Sequence, residues 1–498
     1  MLEEIIKKIG PSRSSLVVEH LQEQGINADA ARKRVSRIQP PLYRFPIDLL
    51  PKKESFVYHK AQRSSEKFWD NFLRDMRFTN SVYGAAIDAL IVRGGAVNFS
   101  QFPCISSGTV TPKAGSLSSG AIFATLKEAQ IIDDSDPDHP NTVYIRQLSL
   151  CYPDIKGTIW RDKVEVILLD AIRQWARNLG LAAYNKITIR GDKEMKPVGP
   201  YHFDLVGPSY LMPLSRGKKQ PGFLVADVIA EGTVDEFQIR SFIRKAQGLK
   251  AILVSGALPL LIAPAFTGAA LTAGHEAGVI LATTANLFGK KIAEAIQALL
   301  NVLNNAAAHA ATNPDKLVEL LDSLRSIEGT AGNLRGILFE LIAAAIARRD
   351  AVSIDIGVSA TNPKTGQKAD IDVLKIMAQA AECACIECKG KEPGGRISVA
   401  EVEDWIRRLP IFEAHIRNHQ LLREAEITFE FWTTGTFDDD AIVALTKEKD
   451  KRTKAKINWL DGKGVLKLSK KYKMKSITEA LNNHYLKHPL NIQPIDIF

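Results

Sequence analysis

Two carboxylates and a lysine have the types and spacing of a metal-dependent hydrolytic site. Glu387 and Lys389 belong to the segment ECK, and alternation along an extended strand directs both side chains to one face. Asp372 lies fifteen residues before Glu387 in a second apolar strand pattern. Pairing of the two strands brings the two acids together, which is unfavourable unless a cation neutralises them. The pattern predicts a Mg²⁺ (or Mn²⁺) ion at this strand edge.

Lys389 and Glu340 complete the predicted site. A cation two residues from a metal-binding carboxylate can orient or deprotonate a water and balance the charge of a pentavalent phosphate, so Lys389 is expected to position the attacking water. Glu340 lies on an amphipathic helix predicted over 333–349, from which it reaches the same metal directly or through a water. Asp370 shares a strand face with Asp372, and the pattern leaves open whether it shares the role.

The arrangement D–x14–E–x–K, preceded by a helix with G-x-x-x-E, resembles the PD-(D/E)xK superfamily of restriction-endonuclease-like nucleases. The resemblance covers about residues 330–475. It implies that Asp372 and Glu387 are the metal-binding acids, that Lys389 is the family's lysine and that Glu340 is its helix glutamate. One departure is that no proline precedes Asp372.

Further elements downstream fit the same family order. The sequence predicts helices over Val399–Leu409 and Asp438–Thr446 and a strand over Ile427–Thr433, and the resemblance continues through INWLDGKGVLKL at Ile457–Leu468. The alternative interpretation is an exposed acid and an ion pair at a strand end. Because both acids occupy apolar strands, where unpaired charge is disfavoured, the context favours the nuclease.

An earlier part of the chain repeats this pattern in altered form. HFDLVG matches ADIDVL, FLVADVIAEG matches CACIECKGKE, and the VDEFQIRSFIRKA stretch, predicted as a helix over Val234–Gln247, matches VAEVEDWIRRLPI. Asp204 then corresponds to Asp372, but Asp227 replaces Glu387 and Ile229 replaces Lys389. We expect a degenerate copy that retains two acids able to hold a metal but lacks the lysine. The alternative is the strand and helix rhythm common to all α/β domains.

The N-terminal region has the pattern of winged-helix units. Residues 1–75 contain two short helices, a glycine turn at Gly25 and a basic third helix, followed by a candidate wing over Leu42–Tyr58. Residues 76–160 repeat the theme with little positive charge, which favours a structural or protein-binding role. A helical domain with a solvated basic face, or a protein-docking winged helix, remains open for the first. Its predicted DNA-binding residues are Arg32, Lys33, Arg34 and Arg37.

Charge favours a polyanionic partner. The chain has a net charge of +9, and residues 447–475 alone carry twelve Lys or Arg against three acids. Beside a candidate phosphodiesterase site such a stretch guides a polyanion, and its few aromatics favour duplex over single-strand binding. In the glycine-containing loop after ECK, Lys391 and Arg396 are predicted to contact the substrate backbone.

Composition limits the protein class. The chain has 498 residues and 45% hydrophobic content, enough for several cores. Prolines and charges interrupt the apolar stretch 251–289, which excludes it as a membrane span. Five cysteines and a charged amphipathic start predict a cytoplasmic protein. Alternation along the strand places Cys388 on the face opposite Cys383 and Cys385, so the three predict core packing rather than a zinc site.

The sequence thus predicts a multidomain α/β protein. Its domains are winged-helix-like units at 1–75 and 76–160, a degenerate restriction-endonuclease-like domain at 161–305 and an active one at 306–498. The expected activity is Mg²⁺-dependent endonucleolytic cleavage of duplex DNA, which the family resemblance associates with restriction or antiviral defence. A homodimer and partner proteins of a defence or mobile-element system are expected. The alternatives are a non-catalytic DNA-binding regulator or assembly protein and an RNA-cleaving effector.

Overall fold

The computed structural model describes most of the chain as two compact units, Met1–Gly289 and Lys290–Phe498. The described residues are 2–111, 116–137, 139–212, 214–216, 220–304, 318–320, 323–324, 332–377, 381–453 and 455–486. Among them, no helix combines the length and the apolar character needed to cross a bilayer. The protein is a mixed α/β protein with several separate sheets.

Two small helix and strand groups form the first part of the N-terminal unit. In each group a helix and a short strand precede further helices and a closing hairpin, and the three strands form an antiparallel sheet, with order β1-β3-β2 or β4-β6-β5. The elements are α1 (Leu2–Ile9), β1 (Ser12–Arg13), α2 (Ser14–Glu23), α3 (Ala28–Ser36), β2 (Leu42–Arg44), β3 (Phe56–His59), α4 (Glu66–Phe78), α5 (Val82–Ile91), β4 (Ala96–Asn98), α6 (Phe102–Ile105), α7 (Ser119–Glu128), β5 (Ile132–Asp133) and β6 (Thr142–Ile145).

The helix α4 joins these two groups through a shared core. Phe68 and Phe72 of α4 are fully buried, and the Phe72 ring stacks on Phe56 of the first sheet with the ring centroids 4.1 Å apart. The same apolar cluster extends to Ile87 and Ile122 of the second group. The predicted domain boundary at residues 75 and 76 therefore falls inside a helix that packs on both groups.

The rest of the N-terminal unit is a five-stranded mixed sheet with flanking helices. Its strand order is β13-β11-β9-β8-β7, with β7, β8 and β9 antiparallel and β9, β11 and β13 parallel. The elements are α8 (Thr158–Asn178), β7 (Thr188–Ile189), β8 (Leu205–Ser209), β9 (Gly222–Val228), β10 (Thr233–Val234), α9 (Arg240–Ile252), β11 (Ala257–Ala263), β12 (Ala265–Phe266), α10 (Gly268–Glu276), β13 (Ile280–Thr283) and α11 (Thr284–Phe288).

The C-terminal unit contains a second five-stranded mixed sheet. Its order is β14-β15-β16-β18-β20, with β14, β15 and β16 antiparallel and β16, β18 and β20 parallel. The elements are α12 (Lys290–Asn304), α13 (Gly332–Ala347), β14 (Ser353–Thr361), β15 (Lys368–Met377), β16 (Glu382–Lys389), β17 (Arg396–Ile397), α14 (Val399–Asn418), β18 (Glu426–Thr433), β19 (Thr436–Phe437), α15 (Asp439–Lys451), β20 (Ala455–Leu460), α16 (Gly462–Lys471) and α17 (Lys475–Ala480).

The two large sheets have the same connectivity. In each, a long helix precedes three antiparallel strands, and two strand-and-helix crossovers then add two parallel strands. Each also carries a separate two-stranded parallel pair, β10 with β12 and β17 with β19. The sequence matches proposed between the two halves thus coincide with matching elements. The predicted boundary at residues 305 and 306 lies outside the described residues, and α12 belongs to the C-terminal unit.

Two predicted helices differ from those observed. The helix predicted over Val234–Gln247 begins only at Arg240, because Thr233 and Val234 pair with β12. The helix predicted to end at Leu409 continues to Asn418 through Pro410. Proline removes one helical hydrogen bond, but the continuation buries Phe412 and Ile416 in the core of the sheet. Burial of such side chains offsets the loss.

Candidate active site

The candidate site lies where β15 and β16 separate. The last residue pair of their ladder is Val373 with Ile386, so Asp372 and Glu387 occupy the next position on each strand. At that position a side chain replaces the backbone as hydrogen-bond acceptor: Asp372 Oδ2 accepts a hydrogen bond from the Cys388 backbone N–H at 2.7 Å. The antiparallel pairing of β15 with β16 thus places the two acids opposite each other.

Glu387 is a buried carboxylate that is paired on one side only. Its side chain is 2% exposed, and its Oε1 lies 2.7 Å from Lys389 Nζ and 2.8 Å from Arg408 Nη2. Its Oε2 is buried and has no hydrogen-bond partner among the described residues. A buried carboxylate oxygen without a partner is costly. This oxygen is therefore the atom of the site that is best suited to bind a cation.

Glu340 lies on α13, next to the same strand end. A Cβ atom at Gly390 would lie 2.6 Å from the Arg335 carbonyl oxygen, so only glycine allows the chain after Lys389 to pass so close to this helix. Glu340 is largely buried. Burial raises the pKa of the Cys388 thiol well above its usual value, and the charges of Asp372, Glu340 and Glu387 raise it further. The three predicted acids, Asp372, Glu387 and Glu340, therefore all lie close enough to the Cys388 thiol to affect its pKa.

The two cations of the site are held in their charged forms. Burial favours neutral Lys389, but the charges of Glu387 and Asp372 outweigh it, so the pKa of the lysine is raised above its ordinary value. Burial likewise opposes a charged Arg408, and Glu387 outweighs it and raises the pKa of that guanidinium. A lysine with a raised pKa is a hydrogen-bond donor at neutral pH rather than a base. A protonated Lys389 could donate a hydrogen bond to a water but could not deprotonate it.

The donor set suits a hard divalent cation with few protein ligands. Among the described residues, no group of three or more His, Cys, Asp or Glu side chains is arranged to hold a metal ion. Mg²⁺ is commonly bound by only one or two carboxylates, with waters and substrate phosphates completing its shell. The unpaired Oε2 of Glu387 and the carboxylate of Asp372 fit that requirement. These two residues are the ones that would hold the ion, with Glu340 beside them.

Arg408 is a site residue that the sequence analysis missed. It lies on α14, three residues after Trp405 and four before Phe412, both of which are buried against the sheet. Helical periodicity therefore places Arg408 on the face toward β16. The sequence did contain a signal for this role, because Arg408 lies on the apolar face of the helix that follows the E-x-K strand.

The other predicted site residues do not contact the two acids or Lys389 through any hydrogen bond or ion pair among the described residues. Asp370 is exposed and lies opposite Ser359 in the ladder. Lys391 Nζ pairs with Glu401 at 2.7 Å, and the Arg396 guanidinium pairs with Asp438. Each of these basic side chains thus already has a carboxylate partner. Arg32, Lys33, Arg34 and Arg37 are exposed at and just beyond the end of α3 in the N-terminal unit.

The first sheet repeats the strand separation with different chemistry. Its β8–β9 ladder ends at Leu205 with Ala226, which brings Asp204 opposite Asp227. Asp204 Oδ2 accepts from the Val228 backbone N–H at 3.1 Å, as Asp372 does from Cys388 in the second sheet. Ile229, in the position of Lys389, is buried. The frame is the same, but the lysine is absent, as the sequence indicated.

Internal cations neutralise the acids of the first sheet. Lys245 of α9 is fully buried, and its Nζ donates to Asp227 Oδ2, to the Cys104 carbonyl at 2.8 Å and to the His202 carbonyl at 2.9 Å. Arg190 Nη1 donates to Asp204 Oδ1 at 2.8 Å. Both oxygens of each aspartate already have hydrogen-bond partners. A metal ion, which the sequence led us to expect at these acids, would therefore have to displace those partners.

A buried helix glutamate belongs to this cluster as well. Glu165 of α8 is 2% exposed and accepts from Arg190 Nη2 at 2.7 Å. Burial opposes the charge of Asp204, but Arg190 and the nearby Arg93 and Lys245 outweigh it and lower its pKa. The first sheet thus holds a helix glutamate and two strand aspartates, with arginine and lysine side chains in place of an external cation. Glu165, three residues before Leu168 on α8, and Lys245, three residues after Phe242 on α9, are charged residues at helical spacing from apolar ones, and this was the sequence signal for the network.

Replacement of Lys245 tests whether this internal cation is required. We expect Lys245→Met to destabilise the N-terminal unit by about 3–5 kcal/mol, because Asp227 then remains buried without its cation. The double variant Lys245→Met/Asp227→Leu should recover most of the loss. Hydrogen exchange of the β8 and β9 peptides in the full chain under graded urea measures the effect. The exposed Lys250→Met is the matched control, and an equal, small effect of both lysine variants would contradict the assignment.

Comparison of the chain with protein-family models, with curated proteins and with solved structures gave no match. The function of the site is therefore inferred from its residues and their geometry.

Proposed function

We propose that the protein is a metal-dependent endonuclease that hydrolyses phosphodiester bonds in DNA, with its active site at Asp372, Glu387 and Lys389. The observation that carries the proposal is that Glu387 Oε2 is buried and has no hydrogen-bond partner among the described residues. Glu387 lies opposite Asp372 on the neighbouring strand, and its other oxygen, Oε1, is bound by Lys389. A bound Mg²⁺ (or Mn²⁺) would lower the pKa of a water and offset charge on the phosphate. Two strand carboxylates and a protonated lysine are sufficient protein groups for that chemistry.

The side chains around the two acids have distinct roles in this proposal. Lys389 Nζ donates a hydrogen bond that orients the attacking water, and its positive charge stabilises the charge that develops on the phosphate. Arg408 holds Glu387 Oε1, so it fixes the rotamer of the carboxylate and leaves Oε2 as the oxygen that would hold the ion. Glu340 orders a water near the ion from the side of α13. Asp372 is fixed by its hydrogen bond from the Cys388 N–H.

The other parts of the chain would bind and present the substrate. We assign the first two helix and strand groups as winged-helix units, because a helix, a strand, two helices and a hairpin follow one another in both. The exposed basic residues at the end of α3 would contact phosphates of a duplex. The five-stranded sheet of the N-terminal unit, with its acids neutralised, would be an inactive nuclease-like copy that acts as scaffold. Each chain then has one active centre, so double-strand cleavage requires a homodimer or two events.

The resemblance to restriction-endonuclease-like enzymes supports a role in prokaryotic defence or in mobile-element processing, together with partner proteins. A second candidate function is a DNA-binding regulator or assembly protein with a nuclease-like scaffold. It is favoured by one observation: Glu387 Oε1 already binds two cations, and the described residues include no metal site with three side-chain ligands. An RNA-cleaving effector is distinguished from both by its substrate.

A cleavage assay tests the catalytic assignment. Plasmid, linear duplex, single-stranded DNA and RNA are incubated with the full-length protein and Mg²⁺ or Mn²⁺. We expect duplex DNA to be cut, and we expect Lys389→Ala and Asp372→Ala each to lower the rate by at least about 100-fold. The first removes the positive charge that stabilises the reacting phosphate, and the second removes a carboxylate that would hold the metal ion. Lys364→Ala, which removes an exposed lysine in the β14–β15 turn, is the matched control and should cut at the wild-type rate.

The outcomes separate the candidate functions. Cleavage that both site variants retain would contradict the proposed active site. Duplex binding without cleavage by any of the proteins would favour the non-catalytic scaffold. Preferential cutting of RNA, lost in the same two variants, would keep the site and change the substrate.

The salt dependence of duplex binding tests the role of the basic residues on the first helical group. Each phosphate contact that is removed should reduce the slope of log affinity against log salt concentration by about 0.9. We expect replacement of Arg32, Lys33, Arg34 and Arg37 by glutamine to reduce the slope by about 2–4. Fluorescence anisotropy over a range of salt concentrations measures it. Replacement of exposed Lys7, Lys8, Lys60 and Lys67 by glutamine, four lysines outside α3 and outside the candidate wing, is a charge-matched control. An equal loss of slope in both variants would contradict specific binding through α3.

A further inference from the structure

A solvent-open cavity of about 800 Å³ lies in the N-terminal unit, where three of its parts meet. Its walls come from the segment Asp48–Lys53 ahead of β3, from the start of α5 at Ser81–Tyr83, from the loop after α6, and from α9. We call it the junction cavity. It is unrelated to the candidate active site, which belongs to the C-terminal unit. Its volume is within the range of pockets that hold small molecules.

Arg244 gives this cavity an unbalanced positive charge. Its Nη2 donates to the Asn80 backbone carbonyl and to Asn80 Oδ1, whereas its Nε is buried with no acceptor among the described residues. The described part of the chain places no carboxylate within ion-pair distance of this guanidinium. Burial and the neighbouring Arg240 lower the pKa of Arg244. A guanidinium in such a setting is stabilised by an anion that accepts from its Nε.

A second polar atom without a partner lies in the same cavity wall. Ser107 is 7% exposed, and its hydroxyl has no hydrogen-bond partner among the described residues. Its backbone has a φ of +55°, a conformation that non-glycine residues rarely adopt. Native proteins pair nearly all buried polar atoms. Two of the ten unpaired side-chain atoms among the described residues belong to residues that line this one cavity, beside a positive charge with no carboxylate partner.

The start of α5 adds a further positive potential to the cavity. Ser81 caps this ten-residue helix by accepting from the Tyr83 N–H at 3.2 Å, and both residues line the cavity. The amino end of a helix attracts anions through its unpaired N–H groups and its dipole. Among the charged residues that line the cavity, Lys53 and Arg244 outnumber Asp48. The remaining wall includes Tyr201, an aromatic surface suited to a less polar group.

We propose that the junction cavity is a binding site for a small phosphate-bearing molecule of about mononucleotide size, with the phosphate held by Arg244 and Ser107. Arg244 Nε donates to one phosphate oxygen and the Ser107 hydroxyl donates to another. The tyrosine side chains at positions 83 and 201 pack against the base or sugar. Because the ligand contacts all three parts of the unit at once, its binding stabilises their arrangement. The site is independent of the proposed nuclease activity.

Titration calorimetry and thermal unfolding of the full-length protein test this proposal with four probes: inorganic phosphate, AMP, ribose 5-phosphate and adenosine. We expect AMP or ribose 5-phosphate to bind with a Kd below about 1 mM and to raise the melting temperature. Adenosine, which lacks the phosphate, should bind at least about 10-fold more weakly than AMP. Binding of inorganic phosphate as tightly as AMP would indicate a simple anion site, whereas weaker binding of inorganic phosphate would indicate that the sugar or base also contributes.

Three variants locate the binding. Arg244→Gln should weaken AMP at least about 10-fold, because one charged hydrogen-bond donor is lost. Leu117→Trp should block binding by filling the cavity from an exposed position while leaving the Arg244–Asn80 hydrogen bonds in place. Arg146→Gln removes an exposed arginine of the same unit and should bind as the wild type does.

Several results would overturn the proposal. They are the absence of binding of every phosphate-bearing probe at about 10 mM, equal binding of adenosine and AMP, and wild-type affinity in the Leu117→Trp variant. That variant decides the question if Arg244→Gln fails to fold. Since none of these measurements involves cleavage, failure of this proposal and failure of the nuclease assignment are distinguishable.

Discussion

The separation of two antiparallel strands at a pair of acids is the constraint on which the candidate site depends. The strands β15 and β16 pair up to Val373 and Ile386 and then diverge. The freed backbone N–H of Cys388 needs an acceptor, and Asp372 provides it through Oδ2. This hydrogen bond fixes one carboxylate in a position that also places it opposite Glu387. The position of the two acids is thus set by the point at which the backbone pairing of β15 and β16 ends.

The same device occurs in both sheets, with opposite electrostatic outcomes. In the first sheet, Asp204 caps Val228 in the same way, and the side chains of Lys245 and Arg190 neutralise the acids from within. In the second sheet, two cations converge on one oxygen of Glu387, and the other oxygen has no partner among the described residues. The same strand geometry therefore occurs once with both acids neutralised from within and once with a carboxylate oxygen that has no partner among the described residues.

Much of this organisation could be predicted from local pattern. Alternation in ECK placed Glu387 and Lys389 on one face, and the order of helices and strands in both halves followed from periodicity and glycine turns. Glu165, Arg190, Lys245 and Arg408 were not predicted, because their roles depend on which helix face packs on which strand. The start of α9 was also predicted too early, since the two-residue pairing of β10 with β12 is a long-range contact that no local pattern contains. Tertiary packing, rather than propensity, determined each of these differences.

The most direct test of the central claim is whether the separated strand edge of the C-terminal unit binds a divalent cation. Titration calorimetry of the full-length protein with Mn²⁺ compares the wild type with Glu387→Gln, with Asp372→Asn and with Asp370→Asn, an exposed acid on the same strand. The account predicts that the first two substitutions weaken Mn²⁺ binding at least about 10-fold, because each removes a carboxylate ligand, and that Asp370→Asn leaves it unchanged. Equal Mn²⁺ affinity in all four proteins, or no binding by the wild type, would contradict it.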